Sequence, residues 1–386
     1  MKIEGKSVYS GENVRLILAE GRIKTRESIG AKKALPWLAP GFLDIQVNGY
    51  RGSDYSSEDF TPEQIARITA DLASSGTTRH FPTLITGAQA KLEHNLALIA
   101  SALEADPGLR SAVPGIHIEG PFISAEDGPR GAHDPAYVRD PDYDEFSRWQ
   151  EAARGLIRLV TLAAERPGAV ELIRRLTLAG VRVALGHTAA DPETIREAVQ
   201  AGATLSTHLG NGSHGLIPRL KNYIWEQLAA DELCASIITD GFHLPDAVIK
   251  TFWRAKGRER IILTSDVAVM GGRPPGRYNW GNIRVEVFAD GHLGVAGTEY
   301  LAGAAHLLDH DIPRLIRAAG CSLAEAVDAC TRIPARFFNL PGSSSAPEAA
   351  LQPGAPADLV LFGFEPGMEH LEILRTIRAG RVVYGG

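Results

Sequence analysis

Cysteine is scarce: Cys234, Cys321 and Cys330 are the only three in 386 residues, and no two form a CxxC pair. That excludes a disulfide framework, and the three read as reduced, mostly buried thiols of a cytosolic protein. No window approaches about 18 apolar residues, so no membrane span is expected. The N-terminal stretch MKIEGKSVYSGENVRLILAEGRI lacks the apolar core of a signal peptide. Lysine and arginine runs are absent, and the net charge is −6. Nucleic acid is therefore not an expected partner. A small anionic substrate stays open, because a few local arginines can bind one against the net charge.

Hydrophobic residues make up 44% of the chain, enough for a large core. From residue 40 onward they fall in short apolar runs that alternate with helical patterns. GFLDIQV, TRHFPTLI, VPGIHIEG, LIRLVTLA, VRVALGH, ATLSTH, CASIITDGFH and RIILTSD read as eight strands. Helices are expected near 61–75, 87–104, 167–180, 191–202, 245–256, 303–319 and 322–338. The one near 191–202 has the clearest signals: Asp191 suits the N-cap, Pro192 the first turn and Gly202 the stop. Strands that alternate with helices pair in parallel, and eight of them predict a closed (β/α)8 TIM barrel over residues 40–340. Residues 1–39 and 341–386 read instead as short strands and turns. They predict a small β-sandwich domain built from both chain termini, with 341–357 as the linker.

In such a barrel the C-terminal strand ends converge on one site. Here those ends carry Gln46 and Asn48, His117 and Glu119, His187, His208, Asp240 and His243, and Asp266. One carboxylate and two imidazoles make a good divalent-metal set that leaves a position open for water, and Asp266 would face that water. His117 should pack one pleat below Glu119. His214 and Asp240 read as either structural or substrate-facing.

The elements APGFLDIQVNGYRGSD, GIHIEGPFIS, ALGHTA, STHLGN, ITDGFH, LTSDVAVMGG and PADLVLF occur in the order found in the amidohydrolase superfamily. They resemble most closely its N-acetylglucosamine-6-phosphate deacetylase family, along almost the whole chain. The resemblance implies that Glu119, His187 and His208 hold one divalent metal ion. Zinc suits that set best, with iron, cobalt and manganese as alternatives. It further implies that Asp266 is the acid–base group and that His133, in RGAHDP, polarises the substrate amide. Asn211, Gly212 and His243 would contact the substrate. Arg219 would reach its phosphate from a neighbouring subunit, which implies a homodimer. Gln46 and Asn48 stand where two-metal relatives carry His-x-His.

Two stretches depart from the family pattern: LGNGSHGLIPRLKNYIWEQLA, which lacks the usual Tyr before Asn211, and GTEYLAGAA. Both shape the sugar pocket. The expected activity is metal-dependent removal of acetyl from an N-acetylamino sugar, most simply N-acetylglucosamine 6-phosphate, in the cytoplasm. Rival readings are hydrolysis of another N-acyl or cyclic amide and a non-catalytic binding protein. The retained Asp266 argues against the last, since a binder needs no proton shuttle.

Overall fold

The computed structural model describes residues 1–30, 34–281, 283–298, 300–341 and 343–386. Eight strands form the central sheet: β1 (Phe42–Val47), β2 (Thr77–Ile85), β3 (Ile116–Glu119), β4 (Ile157–Leu162), β5 (Arg182–Leu185), β6 (Leu205–Ser206), β7 (Cys234–Ile237) and β8 (Ile261–Leu263). They lie side by side in chain order, each parallel to the next. A parallel bridge between Val47 and Val267 and a 2.9 Å bond from the Asn48 N–H to the Val267 carbonyl close the circle. The strands are buried on both faces, which is why they read as continuous apolar runs. Leu43, Phe81, Leu159, Leu205 and Ile262 fill the interior, and Phe338 plugs its base, 4.5 Å from the Phe81 ring. Above that layer His117 Nε2 meets Thr161 Oγ1 at 2.8 Å, so this histidine packs inside, as its register predicts.

Helix boundaries follow the local signals. The helix at Pro192–Ala201 is capped by Asp191, which accepts from the Thr194 N–H at 2.8 Å, and stops at left-handed Gly202. The expected helix 322–338 breaks into Leu323–Ala329 and Arg332–Phe337. Pro334 explains the break: its ring clashes with the carbonyl four residues back, on Cys330, and that carbonyl accepts from the Leu43 N–H instead. The helix expected from 303 begins at Leu308, because 303–307 is a loop at the barrel mouth.

The two chain ends pair into one seven-stranded sheet. Lys2–Ser7, Asn13–Ala19, Arg22–Ser28 and Trp37–Pro40 come from the N-terminal end, and Leu359–Gly363, Glu372–Arg378 and Arg381–Tyr384 from the C-terminal end. Val14 and Leu16 share a core with Leu359 and Ile377 from the far half of the strand order, so the sheet folds over itself as sandwich layers do. Leu351, inside the expected linker, joins the same core. A three-stranded antiparallel sheet, Gly276–Trp280, Ile283–Val287 and Leu293–Val295, is inserted after β8 and was not anticipated. Among the described residues no helix is long and apolar enough to cross a membrane.

Buried Asp44 fastens β1 to the segment after β8. Its carboxylate accepts from Thr264 Oγ1 at 2.7 Å, from the Ser265 N–H at 3.2 Å, from the Ser265 hydroxyl and from the Gln46 N–H at 3.2 Å. Asp44→Ala strands those buried donors, a cost of about 1–3 kcal/mol. It should lower the thermal midpoint and any activity that depends on Asp266 together, because Asp266 follows Ser265 directly. Calorimetry and turnover on the purified variant check this; an unchanged midpoint would contradict it.

Candidate active site

Three strand-end residues leave the extended conformation. His187 (φ 50°), His208 (φ 30°) and Asp266 (φ 52°) have left-handed backbones although none is glycine. Each such residue costs about 1–3 kcal/mol and persists where its surroundings impose it. Together they turn three side chains over the barrel mouth.

The atoms that meet there are close. Glu119 Oε1 lies 3.0 Å from His208 Nε2 and 3.3 Å from His187 Nε2, and the two imidazole nitrogens are 3.1 Å apart. His133 Nε2 lies 3.3 Å from His187 Nε2, and the donor atoms of Glu119, His133 and His187 fall within 4.8 Å of one another. A tetrahedral ion with bonds of about 2.0–2.1 Å keeps its ligand atoms roughly 3.3 Å apart, so this donor set fits a divalent metal. The surroundings prepare the donors. The His187 Nδ1–H donates to the Pro129 carbonyl at 2.8 Å, which leaves the Nε2 lone pair facing the cluster. Burial pushes Glu119 upward, but the imidazoles of His187 and His208 pressed against it outweigh that and hold the carboxyl well below its usual range. Burial, then the neighbouring His187, pushes His133 down to about 3 and keeps it neutral.

Asp266 faces the cluster. Its Oδ1 accepts from Gln46 Nε2 and from Asn48 Nδ2, both at 2.8 Å, and the same Gln46 Nε2 donates to Glu119 Oε1 at 2.9 Å. Burial, then the Glu119 charge, pushes the Asp266 carboxyl up to about 7. Gln46 and Asn48 were legible as strand-end residues, but their bonds to the two carboxylates were not.

Glu119, His187, His208, Asp266 and Asn48 line a cavity of about 250 Å³ together with His133, Asn211, Gly212 and His243. His243 is oriented by Asp240, whose Oδ2 lies 2.8 Å from His243 Nδ1; burial would raise Asp240, but His243 holds it at about 2. His214 bonds Glu126 and Tyr223 at 3.0 Å each and does not line the cavity. Arg219 is exposed and does not line it either. Trp280, from the inserted sheet, and Tyr300 and Leu301, from the loop after it, form walls that sequence reasoning missed. The signal was present: RYNW and IRVEV alternate with period two around a glycine turn.

Gly212 has φ 54°, and a Cβ there would lie 2.6 Å from His187 Nδ1. Gly212→Ala must push the imidazole away and should weaken divalent-metal binding about 10- to 100-fold, the range for disturbing a ligand's support. Gly215, with open space around it, is the control. Metal titration of both variants checks this; equal affinity would show that His187 does not depend on that close approach.

The whole chain can now be set beside known proteins. Residues 37–383 match the Amidohydrolase family. An N-acetylglucosamine-6-phosphate deacetylase of Bos taurus is 34% identical, covering 90% of this chain and 83% of the relative. One from Bacillus subtilis is 30% identical, covering 90% and 84%. The crystal structure of N-acetyl-D-glucosamine-6-phosphate deacetylase from Mycobacterium smegmatis superposes with a TM-score of 0.87 at 29% identity, covering 100% of both chains. With the barrel, the terminal sheet and the mouth cluster all in place, the chain belongs to the amidohydrolase family, in its N-acetylglucosamine-6-phosphate deacetylase branch.

Proposed function

We propose that this protein hydrolyses the amide of N-acetylglucosamine 6-phosphate, or a close N-acetylamino sugar, to the amino sugar and acetate. The observation that carries this reading is the convergence of Glu119, His187 and His208 within 3.3 Å, opposite Asp266. In this reading those three residues hold one divalent ion, zinc by the chemistry of the set. When bound, such an ion polarises the amide carbonyl and lowers the pKa of water toward neutrality.

The chain's own groups do the rest. Asp266, near neutrality, takes a proton from the attacking water and returns it to the leaving nitrogen as the C–N bond breaks. Gln46 and Asn48 hold its Oδ1 in place. With the Thr86 hydroxyl donating to its Nδ1 across 2.8 Å, His133 carries its proton on Nε2, where it can stabilise the carbonyl oxygen as charge develops. Asn211, Gly212 and His243 contact the sugar.

Arg219 reaches the phosphate of a substrate held by a second copy, so the working unit is a homodimer. Support comes from its neighbours: Leu216 is 94% exposed, Leu220 74% and Trp225 48%, an apolar patch around one cation. Three free cysteines suit a cytoplasmic setting.

Asp266→Asn should keep the metal and lower kcat at least about 10²-fold. Elemental analysis with steady-state kinetics checks both halves, and normal turnover would make Asp266 structural. Arg219→Ala should lower kcat/KM for the phosphorylated sugar roughly 10- to 200-fold, the loss of one charge-assisted hydrogen bond of about 1.5–3 kcal/mol. Activity on the unphosphorylated sugar should barely change. Equal loss on both substrates would remove Arg219 from the phosphate site.

A further inference from the structure

The reaction proposed above fixes which wall of the mouth cavity faces the sugar. Asp266 returns a proton to the leaving nitrogen, and that nitrogen stays on the sugar. The wall bonded to the Asp266 backbone is the segment 300–304. The Ala304 N–H donates to the Asp266 carbonyl at 3.0 Å, and the Ala268 N–H donates to the Ala304 carbonyl at 2.9 Å. Gly303 keeps the approach close. At φ 74°, a Cβ there would lie 3.2 Å from the Asp266 carbonyl oxygen and 3.0 Å from the Ala268 Cβ.

Tyr300 opens that segment and lines the cavity with Asn211, Gly212 and His243, the groups assigned to the sugar. Its backbone is fixed from both sides. The Val295 N–H donates to its carbonyl at 2.8 Å, its own N–H donates to Thr298 Oγ1 at 3.1 Å, and Leu301 bridges Gly294 of the inserted sheet. The side chain finds no polar or aromatic partner in the fold. It is 56% exposed, and among the described residues its ring stacks on no other and its hydroxyl makes no hydrogen bond. Trp280, the other aromatic wall, is half-buried and pinned to Asp54 Oδ2 at 2.9 Å. Lone apolar side chains are ordinary on a protein surface. Of the large ones that stand exposed among the described residues, Tyr300 alone lines the mouth cavity. It also falls in GTEYLAGAA, one of the two stretches that depart from the family pattern.

We infer that Tyr300 is the stacking platform for the pyranose ring of the substrate. This rests on the reading of the protein as an N-acetylamino-sugar hydrolase. A pyranose presents a face of C–H groups between its hydroxyls, and an aromatic ring presents a face of partial negative charge. The two attract, while the hydroxyls at the rim of the sugar stay free to bond Asn211 and His243. An exposed ring suits this task, because water covers it before binding and the sugar displaces that water. The contact acts on ground state and transition state alike, since the bond that breaks lies outside the pyranose.

The test uses the metal-loaded protein, with N-acetylglucosamine 6-phosphate as substrate and glucosamine 6-phosphate as the ligand in calorimetry. Tyr300→Leu removes the ring. It should raise KM, and the Kd of glucosamine 6-phosphate, at least about fivefold, with kcat within about twofold of native. Tyr300→Phe and Tyr300→Trp keep a ring and should stay within about twofold of native in both KM and Kd. All variants are compared at one bound equivalent of metal per chain, so that each has an intact mouth. Native KM and Kd in Tyr300→Leu would overturn the platform while leaving the deacetylase reading intact. So would a loss in Tyr300→Phe equal to that in Tyr300→Leu, or a fall in kcat with KM unchanged. A native enzyme that releases no acetate from this substrate would overturn that reading, and the inference with it.

Discussion

A buried carboxylate with two imidazoles pressed against the same oxygen sets the terms for the rest of this molecule. Glu119 is 3% exposed, and a charge so placed costs several kcal/mol unless it is paired or bound to a cation. The residues around it supply that compensation. Gln46 donates to it from β1, His208 and His187 approach from β6 and β5, and Pro129 orients His187 from behind. Left-handed backbones at His187, His208 and Asp266 are conformations the barrel must impose, and Gly212 has no side chain because His187 occupies the space.

Closure of the barrel is what brings Asp266 to this cluster. Asp266 lies just past the last strand and Gln46 belongs to the first, so their bond exists only where the end of β8 returns to β1. Asp44 secures that seam from below through Thr264 and Ser265. Among the described residues, the terminal sheet contributes no side chain to the mouth cavity. The inserted sheet after β8 does contribute, through Trp280.

The eight-strand architecture was legible because parallel strands buried on both faces leave uninterrupted apolar runs, and helices such as Pro192–Ala201 carry their own stop and start signals. Glu119, His187, His208 and Asp266 were legible because each stands at or just past such a run. Other features depend on long-range geometry. No local pattern says that Gln46 bonds two carboxylates, one on β3 and one just past β8, or that Cys330 gives its carbonyl to Leu43. The inserted sheet had a readable alternation, but it lies inside a barrel unit, where the expectation of a helix masked it. Arg219 is a case where family resemblance assigns a role that one chain alone does not display, since its side chain lies outside its own cavity.

The most direct test of this account is a metal titration of chelator-stripped protein, followed by acetate release from N-acetylglucosamine 6-phosphate. The account predicts no activity in the stripped protein, and activity that rises in proportion to added divalent ion and levels off at one equivalent per chain. Full activity without metal, or a plateau only at two equivalents, would contradict a single ion held by Glu119, His187 and His208.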